Sequence, residues 1–283
     1  MLIRDWLSES RTLLADSESP KRDAEILLGF VLGKPRSWII AFDDRVLTAE
    51  QLAELSALRE RRHLGEPVAH LLGEREFWSL PLKVNAHTLI PRPDTEVLVE
   101  VALDHLPAQP AAVLDLGTGS GAIALAIASE RPDCQITGVD RIPQAVALAT
   151  ENARQLGFDH CRFIESDWFE QLPAGRFDLI VSNPPYIDAD DQHLSQGDVR
   201  FEPLSALVAE EGGLADLRAI IQQSRDWLVP GGWLLLEHGW QQDQAVRGLL
   251  SAAGYSQVAT RADYGGNPRV SYGCLNTDNE ERI

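Results

Sequence analysis

Apolar residues follow two different rhythms along this chain. From residue 1 to about 75 they recur at helical spacing, as in Ile26, Leu27, Phe30 and Val31, and again in Leu52, Leu55 and Leu58. Ser19 before Pro20 predicts a capped helix start, because proline's missing N–H has no partner in the first turn anyway. Thr48 with Gln51 predicts a capping box for the later helix. Between 76 and 90 the pattern weakens to an alternation of Phe77, Leu80, Leu82, Val84 and Leu89, which with Pro81 and Asn85 predicts a hairpin linker. In the segment Pro91-Arg92-Pro93-Asp94-Thr95-Glu96 two prolines keep the backbone extended, and Asp94 is the expected cap of a helix carrying Val97, Leu98, Val101 and Ala102.

From about 111 onward short apolar runs alternate with amphipathic ones. Strands are predicted near 111–116, 135–140, 161–165, 177–182, 232–237, 256–261 and 269–275, and helices near 121–129, 142–156, 214–228 and 241–253. Gly157 ends one helix and Pro132 follows another. This alternation predicts an α/β fold whose parallel sheet is covered on both faces. The last two strands have no helix between them, so an antiparallel edge pair is expected. The organisation read here is a helical domain over 1–75, a hairpin over 76–90 and an α/β domain over 91–283.

Composition narrows the partners. The 283 residues hold 25 Lys and Arg against 43 Asp and Glu, a formal charge of −18, which repels phosphate backbones and speaks against direct nucleic-acid binding. Arg59, Arg61, Arg62 and His63 form a local basic cluster, expected to be a solvated helix end. Cys134, Cys161 and Cys274 are widely spaced, which predicts neither a metal site nor a disulfide framework. No run reaches the roughly 18 apolar residues of a membrane span, so a cytoplasmic protein without membrane contact is expected.

Two corners of the α/β region carry chemistry. The first strand runs into Gly117-Thr118-Gly119-Ser120-Gly121, a turn whose glycines let a ligand approach the backbone. The next strand ends in Asp140, 19 residues after Gly121, placed to accept both hydroxyls of a ribose. That geometry serves NAD and S-adenosylmethionine alike. Ser166-Asp167-Trp168 follows the third strand, where an acid and an aromatic can meet an adenine. Asp115 precedes the turn and could attract a cationic ligand end or hydrogen-bond the turn's own N–H groups.

The second corner is Asn183-Pro184-Pro185-Tyr186, after the strand ending at Ser182. Two prolines can neither continue a strand nor donate hydrogen bonds, so the chain stays extended beyond the sheet's C-terminal edge. The Asn183 side-chain carbonyl and the Pro184 backbone carbonyl can accept both hydrogens of an NH2 group, and Tyr186 offers a flat face to stack on. An amide or aromatic amine nitrogen is a poor nucleophile because its lone pair is delocalised. Two acceptors on its hydrogens raise its electron density, and fixed orientation of well-placed reactants gains on the order of 7–11 kcal/mol. The residues alone therefore point to methylation of a planar nitrogen, with carboxamide and adenine both open as acceptors.

These motifs together resemble the release-factor glutamine N5-methyltransferases, the PrmC/HemK family. The likeness covers nearly the whole chain and rests on Ile90 to Glu96, Leu114 to Gly121, Ser182 to Tyr186 and Arg200-Phe201-Glu202-Pro203. Leu236-Glu237-His238-Gly239 and Gly266-Asn267-Pro268-Arg269 add weaker marks. The family often has Glu where this chain has Asp94, a change that keeps charge and capping capacity. The resemblance implies a class I methyltransferase domain with a Rossmann-like seven-stranded sheet and a small N-terminal helical bundle that recognises the partner. It implies S-adenosylmethionine as donor, S-adenosylhomocysteine as product and no metal. Gly117, Thr118, Gly119, Ser120, Gly121, Asp140, Trp168 and Asn183 would line the donor site. Asn183, Pro184, Pro185 and Tyr186 would hold the acceptor, with Asn183, Pro184 and Tyr186 acting in catalysis. Pro91 to Glu96 would lie near the cofactor, and Glu202-Pro203 would help shape the acceptor pocket. The implied acceptor is the glutamine of the Gly-Gly-Gln loop of class 1 peptide-chain release factors, modified by a monomer.

Other readings differ in acceptor or class. A ribosomal-protein glutamine methyltransferase shares the same motifs. An adenine N6-methyltransferase shares the Asn-Pro-Pro-aromatic corner, but the −18 charge and the lack of a basic, aromatic-rich domain weigh against it. A non-catalytic binder of the same fold would not need an intact clamp. A dehydrogenase would leave the Asn-Pro-Pro-Tyr corner without a role.

Overall fold

The structure is a computed structural model and describes residues 1–276. It separates into two compact units. The first comprises residues 1–74 together with 192–201, and the second comprises 75–191 together with 202 onward.

The first unit is helical: α1 (Ile3–Leu13), α2 (Pro20–Leu32), α3 (Arg36–Ala41), α4 (Ala49–His63) and α5 (Val68–Leu72). Its core gathers Ile3, Trp6, Leu27, Leu28, Ile39, Leu55 and Leu58, with Val31 and Leu52 packed against it, whereas Phe30, expected on the apolar face of α2, is exposed. The capping box is present, with Gln51 N donating to Thr48 Oγ1 at 3.2 Å and Thr48 N donating to Gln51 Oε1 at 3.0 Å. Ser19 does not cap α2 through its side chain; its hydroxyl donates to the Asp23 carboxylate at 3.0 Å, a charged acceptor that outcompetes backbone amides. The basic cluster is not a uniformly solvated helix end either. Arg62 is buried, and its guanidinium meets Asp23 Oδ2 at 2.7 Å and Asp198 Oδ1 at 2.7 Å. The Asp198 contact explains why residues 192–201 belong to this unit.

Apart from Glu74, which the first unit includes, the two-stranded hairpin β1 (Glu74–Phe77) and β2 (Leu80–Lys83) opens the second unit. A 3-10 turn at Pro93–Thr95 leads into α6 (Glu96–His105). Asp94 lies inside that turn, so it does not cap α6; the helix instead starts from Thr95, without a side-chain cap. The alternation then runs β3 (Ala112–Leu116), α7 (Ala122–Glu130), β4 (Gln135–Asp140), α8 (Pro143–Leu156), β5 (Arg162–Glu165) and β6 (Phe177–Ser182). It continues with the short α9 (Glu210–Gly213), α10 (Ala215–Trp227), β7 (Leu228–Glu237), α11 (Asp243–Ala252), β8 (Tyr255–Ala262) and β9 (Pro268–Leu275). Every strand and helix expected beyond residue 111 forms, with ends displaced by a few residues.

The seven strands form one sheet in the order β5-β4-β3-β6-β7-β9-β8. Pairing is parallel from β5 through β7 and antiparallel for β7–β9 and β8–β9, as the missing last helix implies. Both faces are covered. Val113, Leu179 and Val181 join a core with α6 and α7, while Leu114, Leu116 and Ile180 join one with α10 and α11. The order reverses direction at β3: β4 and β5 lie to one side, β6 and β7 to the other. Leu116 of β3 pairs with Val139 on one flank and Ser182 on the other. The glycine turn and the Asn-Pro-Pro-Tyr corner therefore emerge side by side at the topological switch point, where open α/β sheets bind ligands.

Candidate active site

A cleft enclosing about 900 Å³, its open mouth included, lies over the C-terminal ends of β3, β4 and β6. Gly117, Thr118, Gly119, Ser120, Asp140, Trp168, Asn183 and Pro185 line it. Gly121 does not; it takes φ 84° at the start of α7, and a Cβ there would stand 3.2 Å from both Ala149 and Leu125. Its role is close passage of turn and helix rather than contact with a ligand. Gly117 and Gly119 also have positive φ, 70° and 56°, a region that costs other L-residues roughly 1–2 kcal/mol.

Asp140 ties the turn to β4, accepting from Gly119 N at 3.0 Å and from Ile142 N at 2.9 Å. Burial raises its pKa above the usual carboxylate value, and the two amides oppose that shift. Each oxygen retains a lone pair that can face a diol. Asp115 takes the other of its two expected roles. It is fully buried outside the cleft wall, and its Oδ2 accepts from Thr118 Oγ1 at 2.7 Å and from Ala124 N at 3.3 Å. Desolvation pushes its pKa up to about 7. It therefore braces the turn from beneath.

Trp168 places its ring beside Gly117, 3.5 Å from where a Cβ would stand. Its φ of 46° is unusual for an aromatic residue, and the Ser166 hydroxyl holds this conformation by donating to the Trp168 carbonyl at 2.9 Å. The stretch 87–92 supplies a further wall, including Thr88, Leu89, Pro91 and Arg92. Glu202 is expected at the acceptor pocket but lines neither cavity. It is buried, accepts from Ile90 N at 2.7 Å and pairs with Arg92, so it fixes that wall in place.

A smaller recess of about 220 Å³ adjoins the cleft and is lined by Leu89, Asn183, Pro184, Tyr186, Ile187, Ala206 and Leu207. Leu89, Asn183 and Ala206 border both spaces. Of the corner residues, Pro184 and Tyr186 face the recess, Pro185 faces the cleft, and Asn183 stands at the junction. The Tyr186 hydroxyl donates to Glu237 Oε1 at 3.2 Å, and Asn183 Nδ2 donates to Thr95 Oγ1 at 3.3 Å. Burial raises the Tyr186 phenol, and the Glu237 charge adds to the shift. Gln242 Nε2 donates to the Tyr186 carbonyl at 3.1 Å, and Gly213 leaves that carbonyl room, since a Cβ there would come within 2.1 Å of it.

Comparison with known proteins shows the family to which a chain with this cleft and recess belongs. A model of the methyltransferase domain matches residues 109–265, and one of the PrmC N-terminal domain matches residues 5–73. The release factor glutamine methyltransferase of Escherichia coli (strain K12) is 60% identical over 96% of this chain and 99% of its own length. The protein of that name from Salmonella typhimurium is 59% identical over the same shares. The Vibrio cholerae relative is 54% identical over 93% of each chain. This chain belongs to the release factor glutamine methyltransferase family. Solved structures agree on the fold. A Pyrococcus furiosus methyltransferase superposes with a TM-score of 0.54 at 18% identity, over 78% of this chain and 99% of that one. The Thermus thermophilus 16S rRNA N2 G1207 methyltransferase, solved with AdoMet and guanosine, superposes with 0.52 at 20% identity, over 72% of this chain and 50% of that one. The class I S-adenosylmethionine-dependent methyltransferase fold with an N-terminal helical region is thus established for this family member.

Thr95, Glu237, Gln242 and Gly213 were not singled out as site residues by sequence reasoning. Thr95 and Glu237 lie inside quoted motifs, yet nothing in the linear pattern shows that Thr95 meets Asn183 or that Glu237 meets Tyr186. Among the described residues no group of three or more His, Cys, Asp or Glu is placed to hold a metal, and no helix is long and apolar enough to cross a membrane.

Proposed function

We propose that this chain transfers the methyl group of S-adenosylmethionine to the side-chain amide nitrogen of the glutamine in the Gly-Gly-Gln loop of class 1 peptide-chain release factors. The observation that carries the reading is the position of Asn183, which borders both the large cleft and the small recess. A group held there by its amide hydrogens faces whatever the cleft holds. The names of the relatives support a release factor as the acceptor.

The cleft residues suit the methyl donor. Gly119 carries no Cβ where one would project towards Thr88, 3.9 Å away, so the turn's backbone is open to a ligand. Asp140 provides the acceptor for a ribose diol, and the Trp168 ring provides a flat apolar surface. When bound, S-adenosylmethionine supplies a methyl group made electrophilic by its sulfonium. The chain's own residues do the rest. Asn183 Oδ1 and the Pro184 carbonyl accept the two hydrogens of the glutamine amide and raise the electron density on its nitrogen. Leu89, Ile187 and Leu207 exclude water from the recess, which strengthens those hydrogen bonds. Once methylated, the nitrogen is acidic and loses its proton without a dedicated strong base. The −18 charge fits a protein acceptor with no direct nucleic-acid contact, and we infer action as a monomer in the cytoplasm.

The test is transfer of a labelled methyl group to purified unmethylated release factor, alongside factor carrying Gly-Gly-Ala in the loop. Label on the first and none on the second is expected. Label on neither, with the donor still bound, would move the acceptor to ribosomal protein or adenine.

A further inference from the structure

We infer that the wall from Thr88 to Arg92 holds the carboxylate at the amino-acid end of the methyl donor, with the Arg92 guanidinium as its cation and the Thr88 hydroxyl as a second hydrogen-bond donor. The inference rests on the functional reading above and adds two residues to the donor site.

The donor's sulfonium carries three arms, and the reading above assigns two of them. The ribose arm goes to Asp140 at the end of β4, and the methyl points to Asn183 after β6. The amino-acid arm is left to face the remaining side of the cleft, which Thr88, Leu89, Pro91 and Arg92 supply. The glycine turn separates the two sides. Gly119 N donates to Asp140 on one, and a Cβ on Gly119 would stand 3.9 Å from that of Thr88 on the other.

Charge points the same way. Two arginines line the cleft, Arg92 and Arg141. Arg141 follows Asp140 directly, and its guanidinium donates to the Ser205 carbonyl at 3.1 Å, so it belongs to the ribose side. Arg92 is the cation on the side that receives the amino-acid arm.

The Arg92 side chain is also aimed. The Glu202 carboxylate is fully buried, accepts from Ile90 N at 2.7 Å and pairs with Arg92 Nη2. One buried carboxylate thus fixes both the backbone and the guanidinium of this wall. Among the described residues Arg92 makes no other side-chain hydrogen bond, and its side chain stays 33% exposed. A guanidinium presents five N–H donors in a planar fork, so Nε and Nη1 remain to grip a second carboxylate.

Thr88 supplies an independent sign. It borders the cleft and is 2% exposed, and its Oγ1 is buried without a hydrogen-bond partner. A dehydrated, unpaired hydroxyl costs stability, and valine of nearly the same volume would avoid that cost. A ligand oxygen entering the cleft gives this hydroxyl its acceptor.

The experiment titrates two ligands by calorimetry: S-adenosylhomocysteine and its decarboxylated analogue, which keeps the adenosine, the thioether and the ammonium. Arg92→Gln weakens S-adenosylhomocysteine binding by about thirtyfold and Thr88→Val by about fivefold, while the analogue changes by less than about twofold in both. Thr88→Val leaves the melting temperature of the ligand-free protein undiminished, because its hydroxyl has no protein partner to lose, and Thr88→Ser keeps full affinity. Arg92→Gln takes the cation from buried Glu202, so the Arg92→Gln/Glu202→Gln double variant is measured beside it and shows the same selective loss. Full affinity for S-adenosylhomocysteine in Thr88→Val or in the double variant would overturn the subsite, as would an equal loss for both ligands. If the unaltered protein bound no S-adenosylhomocysteine, the functional reading would fall and the subsite with it.

Discussion

The cofactor cleft and the acceptor recess share a wall but are built on different principles. The cleft is shaped by backbone: positive-φ glycines at 117 and 119, an acid at a strand end and a braced turn. Much of what defines it lies within single strand-turn-helix units. The recess is shaped by side chains from distant segments, among them the half-buried Tyr186 held by the buried Glu237. A methyl donor offers a large rigid surface that backbone geometry can recognise. A glutamine amide offers two hydrogens, so the recess needs acceptors of fixed orientation, and fixing them takes a polar network under low dielectric.

Substitutions can separate the two. The largest effect is expected for Asn183→Ala, which removes one acceptor from the reacting amide. Losing one such preorganised group lowers kcat by roughly 100–1000-fold. Because Asn183 only edges the cleft, affinity for S-adenosylhomocysteine is expected to fall by less than about tenfold. Single-turnover methyl transfer and calorimetry read the two separately; full transfer by this variant would break the comparison.

Glu237→Gln is expected to act on stability with a definite pH dependence. Burial holds the folded Glu237 pKa at about 7, above the ordinary value of 4.5. The folded state therefore prefers the protonated form, and the unaltered protein loses stability as pH rises from about 4.5 through about 7. Glutamine does not titrate, so the variant gains on the unaltered protein across that window, by up to about 3 kcal/mol at pH 9. Denaturant unfolding at pH 5 and pH 9 checks the sign; a variant that loses ground at pH 9 would show that the carboxylate is a net stabiliser.

On the cleft side, Gly119→Val puts a branched side chain at φ 56°. Strain of roughly 2 kcal/mol lowers folding stability, and the added side chain, standing where the turn's backbone meets the ligand, weakens S-adenosylhomocysteine binding by about thirtyfold. The smallest effect is expected for Asp140→Asn, where loss of a charge-assisted hydrogen bond to the ribose weakens binding by about tenfold. If Asp140→Asn left calorimetric affinity unchanged, the diol would have to be held elsewhere.

The elements of the α/β unit were legible because strand burial and helix amphipathicity are local periodicities. The antiparallel edge was legible because a parallel crossover needs a helix and none stands between β8 and β9. The insertion of β9 between β7 and β8 was not, since pairing partners compete over long range. Caps were legible where both partners sit within one turn, as at Thr48 and Gln51. They failed at Ser19, where Asp23 claimed the hydroxyl, and at Asp94, where an extra 3-10 turn moved the helix start to Thr95. Arg62 was read as solvated because Asp198, one of its two carboxylate partners, lies 136 residues away in sequence.

The sequence by itself determined the fold class, the glycine turn, the strand-end acid and the Asn-Pro-Pro-Tyr corner. Each follows from what neighbouring residues permit a backbone to do. The tertiary structure alone decided that Asn183 finds Thr95 and Tyr186 finds Glu237, that Glu202 anchors Ile90 and Arg92, and that Asp115 braces the turn instead of facing the cleft. Those are choices about where a buried polar group finds its partner. Such a partner is selected by proximity in the folded chain, which linear spacing does not encode.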